Sequence, residues 1–192
     1  QAILPLPMSL AEDMTALALA AKNAARLMPR LSTDEKNLCL NAMANALEAQ
    51  SQAIQDANAK DLETAQEMDL SQAMIDRLLL DEQRVAGMAQ GLREVAELPD
   101  PVGRVLEETD RPSGLKLKKV ACPIGVVVMI YESRPNVTAV AAGLCFKSGN
   151  ATILRGGKEA IHSNQIIARL MVEAGQSVCE QFPSEAIQVV PT

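Results

Sequence analysis

The arrangement of apolar positions changes twice along the chain. In residues 1–98 the apolar side chains recur at helical spacing, whereas residues 99–123 alternate between apolar and polar positions. From residue 124 onward, short continuous apolar runs are separated by two further stretches with helical spacing. The pattern therefore predicts an α/β fold in three parts: a helical segment at 1–98, a β-ribbon at 99–123 and a βαβαβ half-sheet at 124–192.

Two capping patterns mark helix starts in the first part. Ser9 stands three residues before Glu12, and Ser32 stands three residues before Glu35. A serine and a glutamate at this spacing satisfy the free N–H groups at the start of a helix. The predicted helices are 9–28, 32–68 with a break near 51, 71–79 and 81–98. Their polar faces are interpreted as solvated surface, and we assign no chemistry to them.

Two prolines, Pro99 and Pro101, end the helical run and precede the ribbon. Residues 102–109 and 115–122 alternate in character on either side of a turn at 110–114, which predicts an antiparallel pair. Three lysines lie along the second strand, at positions 116, 118 and 119. They either protect a solvated edge or belong to an arm that pairs with another subunit, and the sequence favours neither.

The last part reads as strand, helix, strand, helix, strand. The strands are predicted at 126–130, 151–154 and 187–190, and the helices from Asn136 or Thr138 to Lys147 and from Ser163 to a left-handed cap at Gly175. Because residues 126–130 are continuously apolar, we expect a parallel strand covered on both faces. A half-sheet of this kind has an open edge, and we expect the chain to be part of a larger enzyme.

Charge and composition exclude some partners. The chain has 18 basic and 24 acidic residues, a net charge of −6, with no tryptophan, one tyrosine and two phenylalanines. A negative chain with so few aromatic side chains is poorly suited to nucleic acid. No apolar run approaches the ~20 residues that span a bilayer. We therefore expect no nucleic-acid partner and no membrane partner.

The cysteine and histidine content indicates a reduced, metal-free protein. The four cysteines are scattered without a CxxC pair, and His162 is the single histidine, so we expect no metal site. We expect Cys122 and Cys145 to be buried, inert thiols in a strand and a helix. Residues 1–8 have neither the basic nor the long apolar region of a secretory signal. The expected location is the cytoplasm.

Residues 120–165 have the layout of a mononucleotide-binding βαβ unit, but two standard fingerprints are missing. In the phosphate-binding pattern GxxxxGK[ST], Thr152 stands in place of the first glycine and Glu159 follows the lysine. The pattern GxGxxG is absent because Gly156 and Gly157 are adjacent. A nucleotide site in this region must therefore be built in another way.

Three segments identify a family that binds a nucleotide without those fingerprints. The segments IYESRPNVT at 130–138, LCFKSGN at 144–150 and ILRGGKEAIHSN at 153–164 closely resemble the γ-glutamyl phosphate reductases, also called glutamate-5-semialdehyde dehydrogenases. These reductases are a branch of the aldehyde dehydrogenase superfamily. The resemblance implies an aldehyde-dehydrogenase-like fold, in which residues 1–192 form part of the NADP-binding domain and residues 99–123 form its β-ribbon arm. It also implies a catalytic domain, carrying the nucleophilic cysteine, that is not present in these residues.

The activity implied by the resemblance is the second step of proline biosynthesis. NADPH reduces γ-glutamyl phosphate to glutamate 5-semialdehyde, and phosphate is released after a cysteine thiolate has formed a thioester. The chain alone is then expected to be inactive. The implied partners are γ-glutamyl phosphate, further copies of the chain and the glutamate kinase that makes the substrate. Two alternatives remain: the reductase part of a bifunctional pyrroline-5-carboxylate synthase, and a non-catalytic nucleotide-binding or assembly module.

The resemblance assigns chemistry to two residues of the loop at 131–136. Asn136 matches the superfamily asparagine whose amide donates to the oxygen that becomes negative in the tetrahedral intermediate. The alternative is a helix N-cap, for which asparagine is also favoured. Arg134 is a candidate for binding the carboxylate or acyl phosphate of the substrate. The alternative for Arg134 is a structural ion pair with Glu132 or another acid.

The resemblance assigns the cofactor to the next loop. Arg155, Gly156, Gly157, Lys158 and Glu159 match the superfamily segment that meets the adenosine ribose. The two glycines would let the backbone approach a ligand, and the two cations would favour the 2′-phosphate of NADP over NAD. The alternative is a glycine turn with solvent-facing charges. The superfamily commonly has Lys-Pro where this chain has Arg155-Gly156.

Overall fold

The computed structural model describes residues 9–191. The helices are α1 Leu10–Leu27, α2 Thr33–Ala49, α3 Ser51–Glu67, α4 Gln72–Leu78, α5 Glu82–Glu97, α6 Asn136–Lys147 and α7 Ile161–Val178. The strands are β1 Val105–Asp110, β2 Lys116–Val120, β3 Val126–Ile130, β4 Ala151–Arg155 and β5 Ile187–Val189. This order confirms the predicted elements, while the division into three parts stays a prediction. The expectation for residues 1–8 lies outside the described residues.

Within residues 9–191, no helix is both long enough and apolar enough to cross a bilayer.

Both predicted capping boxes are present. The backbone N–H of Ser9 donates to Glu12 Oε2 at 2.7 Å, and the backbone N–H of Ser32 donates to Glu35 Oε2 at 2.8 Å. Each serine hydroxyl in turn accepts from the backbone N–H of its glutamate. These hydrogen bonds lower the pKa of both glutamates because they stabilise the ionised carboxylate. The starts of α1 and α2 were therefore readable from local sequence.

The five strands form two sheets. β1 and β2 make the antiparallel ribbon, and the second sheet has the order β3-β4-β5 with all strands parallel. In the parallel pair, Val126 lies opposite Ala151 and Ile130 lies opposite Arg155. The carboxyl ends of β3 and β4 therefore meet at one edge of the sheet, where ligands bind in folds of this type.

Helices cover the parallel sheet unequally. The main core joins α2, α5, α6 and α7 to one face, with Leu92, Phe146, Leu154 and Met171 all almost fully buried. On the other face, Ala21 and Ala24 of α1 pack against the first residues of β3 and β4. The first four residues of β4 are buried, so the turn that follows this strand begins from a well-packed core.

The prediction that β3 is covered on both faces is wrong. Val128 is 60% exposed and Ile130 is 80% exposed. In the described residues β3 pairs with β4 alone, and Val126 is the β3 residue that packs in the apolar cluster with α1. Continuous apolarity predicted a strand correctly, but its coverage depends on elements that pack from elsewhere in the fold.

The predicted cap at Gly175 is also wrong, since α7 continues through it to Val178. A Cβ at Gly175 would lie 2.5 Å from Phe182 Cε2, so the glycine makes room for an aromatic ring instead of ending the helix. Cys122 was expected to be buried but is exposed, because it follows the end of β2 at Val120 and lies in a connecting segment. Cys145 is buried as predicted, and burial raises the pKa of its thiol.

A buried aspartate joins α3 to the start of α7. Asp61 is 1% exposed and accepts from the backbone N–H groups of His162 at 3.1 Å and Ser163 at 2.7 Å, and from the Ser163 hydroxyl at 2.5 Å. It therefore acts as an N-cap for α7 from a distant part of the chain. Burial raises the pKa of Asp61, and these hydrogen bonds oppose that rise.

Replacement of this aspartate tests its capping role. Asp61→Ala leaves two backbone donors and one hydroxyl without their acceptor, and we expect the free energy of unfolding to fall by roughly 2–4 kcal/mol. Urea denaturation measures the change. Asp56→Ala, an exposed aspartate on the same helix, is the control and should stay within about 0.5 kcal/mol of the wild type. Equal effects from the two variants would contradict the assignment.

Candidate functional site

Two neighbouring loops form the candidate site. The loop at 131–136 follows β3, and the turn at 156–160 follows β4. The backbone N–H of Tyr131 donates to Arg155 O at 3.0 Å, and the Ser133 hydroxyl donates to the Glu159 carboxylate. The structure thus brings together the two segments that the sequence singled out, and a buried side-chain contact joins them.

Asn136 is exposed and is the first residue of α6. The residue at its N-cap is Pro135, and no side-chain hydrogen bond caps the helix. The alternative of an N-cap role for Asn136 is therefore wrong. Its side-chain amide has no hydrogen-bond partner among residues 9–191, which leaves both N–H groups available to a ligand.

Arg134 is exposed in the same tight turn, where the backbone N–H of Val137 donates to Arg134 O at 2.9 Å. Its guanidinium forms no ion pair within the part of the chain that the structure describes. Arg134 therefore forms no ion pair with Glu132 among the described residues. The backbone N–H of Arg134 donates to Glu132 O at 2.6 Å. Its role in binding substrate stays a prediction.

A cleft of about 410 Å³ opens beside this loop. Arg134 and Asn136 line one side, and residues of α4, α5 and their connection line the other. The charged residues on that second side are Asp76, Arg77 and Arg84. These three were not identified from sequence, because charges at helix ends look like ordinary solvated surface.

The glycine turn does not line this cleft; it meets the loop at 131–136 through Glu159. A Cβ at Gly156 would lie 2.2 Å from Asn164 Nδ2, and a Cβ at Gly157 would lie 1.9 Å from Glu159 Oε1. The space beside both glycines is therefore filled by the chain's own side chains. Our expectation that a ligand approaches the backbone at these glycines stays a prediction, while the direction of a side chain at either position is already occupied.

The charged side chains of the turn differ in whether they are free to contact a ligand. Lys158 is exposed, and its ammonium group has no partner among the described residues. Arg155 is partly buried and donates to Gly156 O, while Glu159 is buried against Ser133. The Lys158 ammonium and the remaining N–H groups of Arg155 are therefore the cationic donors of the turn that a phosphate group could use.

A hydrogen-bonded chain of side chains supports the turn from below. The Tyr131 hydroxyl lies 2.6 Å from Thr138 Oγ1, which donates to Asn164 Oδ1 at 2.8 Å. Burial raises the pKa of Tyr131, partly offset by the bond to Thr138. Asn164 is fully buried, and its Nδ2 has no partner in the described residues. The side chain that excludes a Cβ at Gly156 is therefore held in place by α6.

Comparison with known proteins places the chain in a family. The model of the aldehyde dehydrogenase family matches residues 1–192. The chain belongs to this family. It is 56% identical over 158 residues to a γ-glutamyl phosphate reductase of Xanthomonas oryzae, covering 82% of this chain and 38% of that protein. It is 49% identical over 185 residues to a γ-glutamyl phosphate reductase of Moorella thermoacetica, covering 96% of this chain and 44% of that protein.

Solved aldehyde dehydrogenase structures show the same fold. The γ-glutamyl phosphate reductase of Thermotoga maritima superposes with a TM-score of 0.89 at 34% identity, covering 93% of this chain and 43% of that one. The enzyme of Saccharomyces cerevisiae gives a TM-score of 0.85 at 35% identity, covering 97% and 47%. The resemblance seen in the sequence motifs and the aldehyde-dehydrogenase-like fold are both confirmed. The chain spans about two fifths of the length of the curated relatives it matches.

Substitution at Gly156 tests the packing beneath the turn. Gly156→Ala must displace Asn164 from its bond to Thr138, and we expect the free energy of unfolding to fall by about 1–3 kcal/mol. Gly91→Ala in α5 is the control, because its Cβ would meet Val140 Cγ2 at an ordinary 4.0 Å. Helix propensity predicts that this control is neutral or stabilising by up to about 1 kcal/mol. Denaturant unfolding of both variants measures the difference, and a neutral Gly156→Ala would rule the packing argument out.

Proposed function

We propose that the full-length protein containing these residues reduces γ-glutamyl phosphate to glutamate 5-semialdehyde with NADPH and releases phosphate. This is the second step of proline biosynthesis from glutamate. The observation that carries the proposal is the unpartnered amide of Asn136 beside the unpaired guanidinium of Arg134 in one cleft. Relatives that share about half of the aligned residues are named γ-glutamyl phosphate reductases, which supports the same reaction here.

The proposed chemistry needs a donor at the acyl oxygen. When a thiolate adds to the carbonyl carbon of the acyl phosphate, the oxygen gains negative charge, and the bond to phosphate then breaks to leave a thioester. Asn136 lines the cleft, and we propose that its amide donates to that oxygen. The Arg134 guanidinium, in the same turn, is suited to the phosphate that leaves.

The nucleophile is proposed to lie outside these residues. Cys39 and Cys145 are buried, and burial raises the pKa of both thiols, that of Cys39 to about 12. Cys179 is buried as well, and the exposed Cys122 lies in a different surface pocket with Pro101 and Pro123. Since none of these thiols lines the cleft with Asn136, we propose that the chain is inactive alone.

The cofactor is proposed to be NADPH, held by the turn after β4. Related structures of this fold include PnpE, solved in complex with nicotinamide adenine dinucleotide, at 21% identity and a TM-score of 0.72. Lys158 and Arg155 supply the cations that a 2′-phosphate requires, which favours NADPH over NADH. NADPH, when bound, supplies the hydride that reduces the acyl group.

The β-ribbon is proposed to pair with a second copy of the chain. Both of its strands are almost entirely exposed, although they carry apolar side chains at Val105, Leu106, Leu117 and Val120. Its lysines lie opposite acids of β1, with Lys118 Nζ 3.4 Å from Glu108 Oε2. A two-stranded ribbon that is exposed on both faces and carries exposed apolar side chains is marginal by itself, which favours the arm over simple edge protection.

We further propose that the enzyme works in the cytoplasm beside the glutamate kinase that makes its substrate. The four cysteines are unpaired, as expected in a reducing compartment. An acyl phosphate reacts readily with water, so a reductase that receives it directly from the kinase loses less of it.

The proposed role of Asn136 is tested by Asn136→Ala in the full-length enzyme. Loss of one donor to the oxyanion should lower kcat by about 10²- to 10³-fold, with KM for NADPH nearly unchanged. Steady-state rates of NADPH oxidation measure both constants. Asn41→Ala, an exposed asparagine of α2, serves as the control. A kcat within about twofold of wild type would remove Asn136 from the mechanism.

The proposed cofactor preference is tested at Lys158. Lys158→Gln should raise KM for NADPH by about tenfold and leave KM for NADH nearly unchanged, because only NADPH carries the 2′-phosphate. Fluorescence titration of the chain and of the full-length protein with NADPH and with NADH gives the same comparison without turnover. Lys60→Gln, an exposed lysine of α3, is the matched control. Equal losses for the two nucleotides would contradict a 2′-phosphate contact.

A further inference from the structure

The cleft beside Asn136 has more positive charge than the chain around it. Three of its lining residues are arginines, Arg77, Arg84 and Arg134, and one, Asp76, is acidic. The whole chain has a net charge of −6. A local excess of cations in an acidic protein indicates a site for an anionic ligand. The volume of about 410 Å³ lies within the range of small-molecule sites.

One of these arginines is occupied by the protein itself. Arg84 of α5 donates through Nη1 to Leu79 O at 2.9 Å and to Asp76 O, and through Nη2 to Asp76 Oδ1 at 3.0 Å. It therefore satisfies backbone carbonyls at the end of α4 and fixes the Asp76 side chain. Since its donors are used in this way, Arg84 is a positioning residue and does not supply the free charge of the cleft.

Arg77 and Arg134 are the other two cations of the cleft. Both are exposed, and neither guanidinium has a hydrogen bond or an ion pair with any residue in 9–191. Asp76 is also accessible, with its side chain 65% exposed and only Oδ1 bonded to Arg84. The cleft thus offers a free guanidinium and a free carboxylate oxygen from adjacent residues of α4.

The two free guanidinium groups lie on different elements. Arg134 shares a single tight turn with Asn136, so it belongs to the reacting end of the substrate. Arg77 comes from α4, on the other side of the cleft. The substrate of the proposed function has its second anionic group, the α-carboxylate, at the end remote from the acyl phosphate, with an α-ammonium beside it.

We propose that this cleft recognises the α-amino-acid end of the substrate, with Arg77 binding the α-carboxylate and Asp76 binding the α-ammonium. This inference rests on the proposed function and adds its specificity determinants. A guanidinium matches a carboxylate in two parallel hydrogen bonds, and the adjacent Asp76 oxygen complements the neighbouring positive charge. The amino-acid end is therefore read by α4, while the reacting end is held by the loop after β3.

The test uses the full-length enzyme in the reverse direction. There the aldehyde gives its hydride to NADP⁺ and combines with phosphate, forming acyl phosphate, NADPH and a proton. Three aldehydes are compared: glutamate 5-semialdehyde, 5-oxopentanoate, which lacks the ammonium, and pentanal, which lacks both charges. Arg77→Gln should raise KM for the first two by about 10- to 100-fold and leave pentanal, NADP⁺ and phosphate nearly unchanged. Arg77→Lys should recover part of the loss.

The Asp76→Asn variant tests recognition of the ammonium group separately from recognition of the carboxylate. The asparagine oxygen can still accept from Arg84, so we expect the preference for glutamate 5-semialdehyde over 5-oxopentanoate to fall by about tenfold, with 5-oxopentanoate itself little affected. Arg169→Gln is the control, because this exposed arginine of α7 pairs with Glu173 and lies outside the cleft. Circular dichroism confirms that each variant is folded.

The outcomes distinguish this inference from the proposed function. Suppose that the wild type is active. If Arg77→Gln then leaves KM for the aldehyde unchanged, or raises KM for NADP⁺ instead of KM for the aldehyde, the inference is overturned and the proposed function stands. An inactive wild type refutes the proposed function. Calorimetric titration with L-glutamate then tests whether the cleft binds an α-amino acid. Binding of L-glutamate by wild type that Arg77→Gln abolishes supports the inference, whereas no binding, or equal binding by both proteins, overturns it.

Discussion

The site depends on the contact between Ser133 and Glu159. Parallel pairing of β3 and β4 brings the loops that follow them to the same edge of the sheet, but pairing alone does not hold those loops together. The buried hydrogen bond from the Ser133 hydroxyl to the Glu159 carboxylate does so, and it folds that carboxylate over Gly157. The loop with Asn136 and the turn with Lys158 are therefore one connected unit. The two groups that we propose contact the acyl oxygen and the cofactor, the Asn136 amide and the Lys158 ammonium, therefore lie on segments joined by a buried contact.

The same unit is anchored to the helical part of the chain. Asp61 of α3 caps the start of α7, and α7 carries Asn164 on its first turn. Asn164 accepts from Thr138, which fixes α6 two residues after Asn136. Each of these groups is buried, so breaking one bond leaves a desolvated partner and costs more than the bond contributes by itself. The position of Asn136 thus depends on α3, which is far from it in sequence.

Local sequence was sufficient where the cause of a structure is local. Ser9 and Ser32 predicted helix starts because a capping box involves four consecutive residues. Gly175 and Cys122 were misjudged because their surroundings come from elsewhere, an aromatic ring at Phe182 in one case and an exposed connection after β2 in the other. The role of the glycine pair in cofactor binding stays a prediction. Sequence alone did not show that Asn164 and Glu159 lie where side chains at these two positions would be, because both come from elsewhere in the fold or from a neighbouring turn.

The connection between α4 and α5 shows how specificity can lie outside the recognised motifs. In the proposed reaction, the motif residues of the loop and the turn contact groups that any acyl substrate and nucleotide share, so they would distinguish one aldehyde dehydrogenase from another only weakly. Discrimination between substrates requires contacts to groups that the competitor lacks, since a buried or paired charge left without its partner costs far more than a missing methylene. In our proposal Arg77 and Asp76 make such contacts, and Arg84 bonds to the second of them. The helical segment, which looks like solvated surface in the sequence, would then supply the part of the site that selects the substrate.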